Sequence, residues 1–220
     1  MLIDLPVPEL FEWQGRNPRP ADHDDYWERA LHELSTVDPA AEFRPAEFNT
    51  PFADCFGLYF TGVGGARIYA TFIKPKQIEG KIPAVFVFHG YGGNSGDWSF
   101  LLPYAAAGMA VAAMDCRGQG GLSEDRGGVS GNTLHGHIIR GLDGGPDKLL
   151  FRNIFLDTAQ LVKIVSGLDE VDAKRLGAFG ISQGGGLTLA CASLSPQIKR
   201  AAPRVPFLCD YRRVWELDLA

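Results

Sequence analysis

The sequence predicts an α/β domain built on a doubly wound, largely parallel sheet, and three observations carry that reading. Short, almost wholly apolar runs (IPAVFVF, MAVAAM and RLGAFG) each end in a glycine-bearing turn, as strands buried in a parallel sheet do. Segments with helical period lie between them, the alternation that generates parallel strands. The 220 residues, 45% hydrophobic and 21% charged, are enough for one ordinary globular core. A formal net charge of -5 gives no electrostatic reason to expect nucleic acid or an anionic membrane as partner.

Taken in order, the first residues carry Pro6, Pro8, Pro18 and Pro20 and are expected to form an extended surface arm. DHDDYWERALHEL follows as an amphipathic helix, with Trp27, Ala30, Leu31 and Leu34 on one face and Asp22 or Asp24 near its N-cap. A proline-rich connection leads to Pro51, so the arm and helix occupy about the first 50 residues of the single domain 1–220. FGLYFTG and ARIYATFIKP, joined by TGVGGA, read as an antiparallel hairpin. IPAVFVFHG suits a central strand buried on both faces. WSFLLPYAAAG is a helix in which Pro103 is expected to shorten or kink the run. MAVAAMDCRGQG is a second buried strand ending in a glycine-rich loop, and Gly120 to Pro146 is a long polar loop. FRNIFLDTAQLVKIVSGL has helical period, KRLGAFG is a third strand, QGGGLTLACASLS a helix, and KRAAPRVPF a fourth strand weakened by two prolines. The last residues, CDYRRVWELDLA, read as the start of a helix.

The opening MLIDLPVPEL lacks the basic and apolar regions of a secretory signal, and no run reaches the roughly 18 apolar residues of a membrane span. Cys55, Cys116, Cys191 and Cys209 form no CxxC pair. They read as reduced thiols of a cytoplasmic protein rather than a zinc site or a disulfide framework.

One motif carries chemistry. Gly180-Ile181-Ser182-Gln183-Gly184 fits G-x-S-x-G between a buried strand and a helix, the context of a nucleophile elbow. A sharp strand-to-helix turn lifts the serine hydroxyl above the sheet edge and needs small neighbours on both sides. The helix start offers amide N–H groups and a positive dipole end, so the N–H of Gln183 can donate to a developing oxyanion. HGYGG, His89 to Gly93, follows the first buried strand, where a second oxyanion donor is expected, here the N–H of Tyr91. The competing reading is two glycine-rich βα turns, one with a serine and one with a structural histidine.

HGY at His89–Tyr91, RGQ at Arg117–Gln119 and SQGGGLTLA at Ser182–Ala190, with LHGH, DEVD and an opening DLP before a DYW helix, together resemble the acetyl xylan esterases and cephalosporin C deacetylases of carbohydrate esterase family seven. The resemblance runs along essentially the whole chain. It implies an α/β-hydrolase fold and a serine carboxylesterase that removes acetyl groups from acetylated sugars, xylo-oligosaccharides and small esters such as cephalosporin C. It implies Ser182 as nucleophile, Tyr91 and Gln183 as the oxyanion hole, and Arg117 and Gln119 as supporting residues. It implies no metal and no organic cofactor, and a cytoplasmic homo-oligomer, hexameric in the family. Ile181 stands where the family usually has glycine, and Gly92-Gly93 widens the oxyanion loop.

Such a serine needs a histidine to take its proton and a carboxylate to orient that histidine, in the chain order serine, acid, histidine. The five histidines, His23, His32, His89, His135 and His137, all precede Ser182. After it come only Asp210, Glu216 and Asp218, none of them following a strand. The family's later strands, its catalytic Asp and its His-Glu motif find no match, so the expectation is a chain incomplete at its C-terminus, with C-terminal strands missing and at most trace activity. His89, His135 and His137 read as structural residues. The alternative reading is a truncated or non-catalytic homologue that folds and binds without turnover.

Overall fold

A computed structural model of the chain describes residues 5–48, 50–126, 137–207 and 209–212. The hairpin forms as its pattern requires: β2 (Ala53–Thr61) and β3 (Arg67–Pro75) pair antiparallel from Ala53 opposite Pro75 to Thr61 opposite Arg67. A strand absent from the sequence reading, β1 (Glu42–Pro45), lies antiparallel outside β2. Its inward residue, Phe43, packs edge-on against Phe56 and Phe72.

The parallel half follows from the three apolar runs and the proline-weakened one: β4 (Ile82–Phe88), β5 (Ala110–Met114), β6 (Val171–Ile181) and β7 (Ile198–Arg204). The sheet order is β1-β2-β3-β5-β4-β6-β7, with β3 antiparallel to β5 and the rest of that half parallel. Pro203 sits in β7, an edge strand among the described residues, where a missing N–H costs no ladder bond on the open side.

The helices are α1 (Val7–Glu12), α2 (His23–Ser35), α3 (Trp98–Ala106), α4 (Leu150–Ser166) and α5 (Gln183–Leu194). Helix α1 replaces part of the expected extended arm: Pro8 falls in the first turn, where its missing N–H is not needed. Asp22 is the residue before α2, without a side-chain cap bond. Helix α3 is capped by Asp97, whose carboxylate accepts from Ser99 N–H at 2.8 Å, and it runs through Pro103 to Ala106. The long loop after β5 holds three short turns within its described part, His137–Ile139, Leu142–Gly144 and Pro146–Lys148.

The main core lies between α4 and the sheet. Leu150, Ile154, Leu161 and Val165 pack there with Phe60, Phe72, Phe86, Phe88 and Met114, and each such buried side chain contributes about 1.5–3 kcal/mol. Burial on both faces holds for β5, but β4 departs from it: Ile82, Ala84, Phe86 and Phe88 are buried while Pro83, Val85 and Val87 are half-buried. Helix α3 covers Val87, and an open groove of about 620 Å³ borders Pro83 and Val85.

Candidate active site

The sheet brings three loops together. Phe88 at the end of β4 pairs with Met114 of β5 on one side and Gly180 of β6 on the other. The chains leaving these strands, starting at His89, Asp115 and Ile181–Ser182, therefore emerge side by side at the carboxyl edge. The chain passes from β4 to β5 on one side and later to β6 on the other, the switch point where open α/β sheets form clefts.

Ser182 turns the chain from β6 into α5 with φ 56° and ψ -120°, a region that side chains other than glycine rarely occupy. Three main-chain bonds hold it there. Its N–H donates to Arg204 O at 3.0 Å, and its carbonyl accepts from Gly186 N–H at 3.2 Å and Phe207 N–H at 2.9 Å. A Cβ at Gly180 would run into the carbonyl of Gly184, and one at Gly184 into the carbonyls of Phe88 and His89. The two flanking glycines are thus required by close backbone packing.

The HGYGG loop is a tight turn: Gly93 N–H donates to Gly90 O at 3.1 Å, and Gly92 N–H donates to Gln119 Oε1 at 2.8 Å. Tyr91 lies between these two, its side chain 44% exposed. Gln183 opens α5, so its N–H belongs to the first-turn amides that no helix carbonyl accepts. Its buried side chain accepts from Gln119 Nε2 at 2.8 Å, donates back to Gln119 Oε1 at 3.1 Å and reaches Cys116 Sγ at 3.5 Å. Gln119 therefore bridges the two turns that carry Tyr91 and Gln183.

Arg117 points elsewhere. Fully buried, it forms a two-pronged ion pair with Asp157 of α4 at 2.6 and 2.7 Å and donates to Arg126 O at 3.0 Å. It fixes the loop from below and does not reach the serine turn. Asp115, not singled out in the sequence, accepts from Ser95 N–H at 2.5 Å and Leu122 N–H at 2.7 Å, tying the loop after β4 to the RGQ loop. Its only sequence signal is a carboxylate closing an apolar strand.

Among the described residues, no histidine is hydrogen-bonded to the Ser182 hydroxyl. His89 is occupied at both ring nitrogens, Nδ1 with Gly90 O at 2.7 Å and Nε2 with Cys116 N–H at 3.0 Å. His137 is buried edge-on between the rings of Tyr91 and Phe151. His23 meets Arg19 and Asp24 on the surface, and His32 is exposed on α2. Asp210 faces Arg16 at 3.6 Å. His135, Glu216 and Asp218 lie outside the described residues. The arrangement can therefore present a hydroxyl above two amide turns, a geometry suited to acyl transfer once a base is supplied.

Cys55, Cys116 and Cys191 are buried free thiols and Cys209 an exposed one. No helix among the described residues is long and apolar enough to cross a membrane.

The acetyl xylan esterase (AXE1) family profile matches residues 1–220. Acetyl xylan esterase 1 from Thermoanaerobacterium sp. superposes with a TM-score of 0.95 and 59% identity, covering 99% of this chain and 68% of that one. Acetyl xylan esterase from Paenibacillus sp. R4 superposes with a TM-score of 0.92 and 30% identity, covering 98% of this chain and 69% of that one. Acetyl esterase Axe7A of Xylanibacter ruminicola is 25% identical over 209 residues, 92% of this chain and 47% of that protein. The chain spans about half the length of the curated relatives it matches.

Proposed function

The chain belongs to the acetyl xylan esterase family and has its α/β-hydrolase fold, and from that premise we propose that it is a serine ester hydrolase acting on acetylated sugars. The observation that carries the proposal is Ser182 at φ 56°, held between two glycines whose space is already filled. Nothing in simple βα packing calls for a serine in a conformation that costs roughly 1–3 kcal/mol.

In this reading the Ser182 hydroxyl attacks the acetyl carbonyl as its proton passes to a base. The N–H groups of Tyr91 and Gln183 hold the charge that develops on the carbonyl oxygen. The sugar hydroxyl leaves with the proton, and water then releases acetate from the acetyl-serine. Gln119 braces both amide turns, and Arg117 anchors the loop that carries Gln119. The base and its carboxylate partner stand outside the described residues. The preferred substrates are xylo-oligosaccharides and small acetyl esters such as cephalosporin C. We extend the reading to a cytoplasmic homo-oligomer of a single-domain chain. The wide spacing of the four cysteines, with no CxxC pair, supports the compartment, and the family resemblance supports the assembly.

The test is hydrolysis of an activated acetyl ester and of acetylated xylo-oligosaccharides, wild type beside Ser182→Ala. Loss of the nucleophile should remove up to about 10⁶-fold of any triad-driven rate. Equal, near-background rates in the two proteins would discard the esterase reading for these 220 residues taken alone and leave them as a binding homologue or as part of an enzyme whose base lies elsewhere.

A further inference from the structure

We propose that His89 is a positioning residue of this site: its neutral imidazole clamps the loop carrying Tyr91 to the loop carrying Arg117 and Gln119, and the clamp opens when the ring is protonated. The catalytic consequence rests on the reading of Tyr91 N–H as an oxyanion donor; the clamp itself does not.

The argument starts from a donor that cannot be reversed. Cys116 N–H is a main-chain group and can only donate, and it lies 3.0 Å from His89 Nε2. That nitrogen must present its lone pair. Gly90 O can only accept, and it lies 2.7 Å from His89 Nδ1. That nitrogen must carry the proton. One tautomer, neutral with hydrogen on Nδ1, satisfies both bonds. The strand register makes the meeting obligatory, since Phe88 and Met114 are paired and the next residues diverge from adjacent strand ends.

Gly90 O also accepts from Gly93 N–H at 3.1 Å. One carbonyl thus receives both the imidazole and the bond that closes the turn around Tyr91. Protonation would set two donors, Nε2–H and Cys116 N–H, against each other. The ring must then leave Cys116, and the turn loses one of its ties to the β5 loop, the bonds of Gly92 N–H to Gln119 and of Gly120 N–H to Gly93 O remaining.

The surroundings oppose that charge. Loss of water around the part-buried ring pulls His89 below the ordinary imidazole range, while the Gly90 bond and the Asp115 carboxylate act the other way. Asp115 is already engaged by two main-chain N–H groups. The Cys116 thiol beside it stays protonated, pushed well up by burial. From α5 the residue packed against the His89 carbonyl is Gly184, which carries no charge. A histidine whose folded value lies below its unfolded value is neutral in the native state, and the unfolded chain takes up the proton first as pH drops. The clamp's stability is therefore complete above about pH 6.5 and is lost as pH falls through the folded-state value.

Two-dimensional proton–nitrogen spectra of the 220-residue chain, followed from about pH 8 down to about pH 5, test this. The expected result is an Nδ1–H tautomer at neutral pH, with the Cys116 and Tyr91 amide signals moving together with the ring titration. His89→Gln keeps an acceptor near the Nε2 position and cannot titrate, so those amides should stay still in it. An Nε2–H tautomer, or amides that titrate identically in His89→Gln, would overturn the clamp. In acetyl ester hydrolysis, His89→Ala should lower kcat by about 10–100-fold with KM within about two-fold, and His89→Gln should recover most of the loss. Absence of Ser182-dependent hydrolysis in the wild type at every pH would defeat the esterase reading for these 220 residues taken alone, while the ring spectra still decide the clamp. Hydrolysis intact beside an Nε2–H tautomer would defeat the clamp alone.

Discussion

Gln119 is the residue on which both amide turns lean. Its side-chain oxygen Oε1 accepts from Gly92 N–H, and the same side-chain amide exchanges bonds with Gln183. Gln119→Leu has similar volume and removes every one of those bonds. Loss of a direct oxyanion donor costs about 10²–10³-fold in kcat, so an indirect brace should cost less, about 10–100-fold, with KM little changed. Steady-state kinetics on an acetyl ester read the split, and a KM effect alone would assign Gln119 to binding. The strand-to-helix turn at Ser182 and the tight turn at Tyr91 were legible in the sequence because G-x-S-x-G and HGYGG are local patterns forced by local geometry. The hydrogen bond from Cys116 N–H to His89 and the one from Ser95 N–H to Asp115 were not, because those partners come from separate strand ends. Hydrogen bonds to main-chain N–H leave no spacing signature in the donor segment.

Helix α4 shows the same division one level up. Its period announced a helix, and Leu150–Ser166 is that helix. What the period did not show is that nearly its whole circumference is buried, Arg152, Asn153, Asp157 and Gln160 included. Asp157 reads as a polar-face residue until the RGQ loop is folded over it; then it is, among the described residues, the sole carboxylate bonded to the fully buried Arg117. Asp157→Ala would leave that guanidinium uncompensated and should destabilise the protein by about 3–5 kcal/mol, read as a lower urea midpoint at unchanged slope. A loss under about 1 kcal/mol would mean that water or another acceptor reaches Arg117. Elements with weak patterns escaped the sequence. Strand β1 has one inward apolar residue, Phe43, and α1 begins on prolines that usually signal extended chain.

For the whole molecule, the doubly wound order follows from alternating strands and helices, and the antiparallel side follows from one hairpin. The sheet positions the site simply by ending three neighbouring strands at one level. The face of β4 beyond α3 is another matter: its pattern promised full burial, yet Pro83 and Val85 line an open groove rimmed by Lys174, Arg175, Lys199 and Arg200. Apolar surface of this kind is tolerated while net charge keeps molecules apart. With a pI near 5.5, solubility should pass through a minimum near that pH and recover on either side. Light scattering across pH at fixed concentration measures it; a flat profile would show that the groove does not drive association.

The conformation of Ser182 has a consequence for evolution in the laboratory. Glycine alone occupies φ 56°, ψ -120° without strain. Ser182→Gly should therefore raise thermal stability, by about 1 kcal/mol after the extra chain entropy of glycine is counted. A library selected only for heat resistance would drift toward replacing this serine, and variants gaining stability there would be the ones that had lost the hydroxyl. With Ser182 as the nucleophile proposed above, selection for robustness and selection for turnover pull in opposite directions at this position, and a screen that records both should show the conflict first at Ser182.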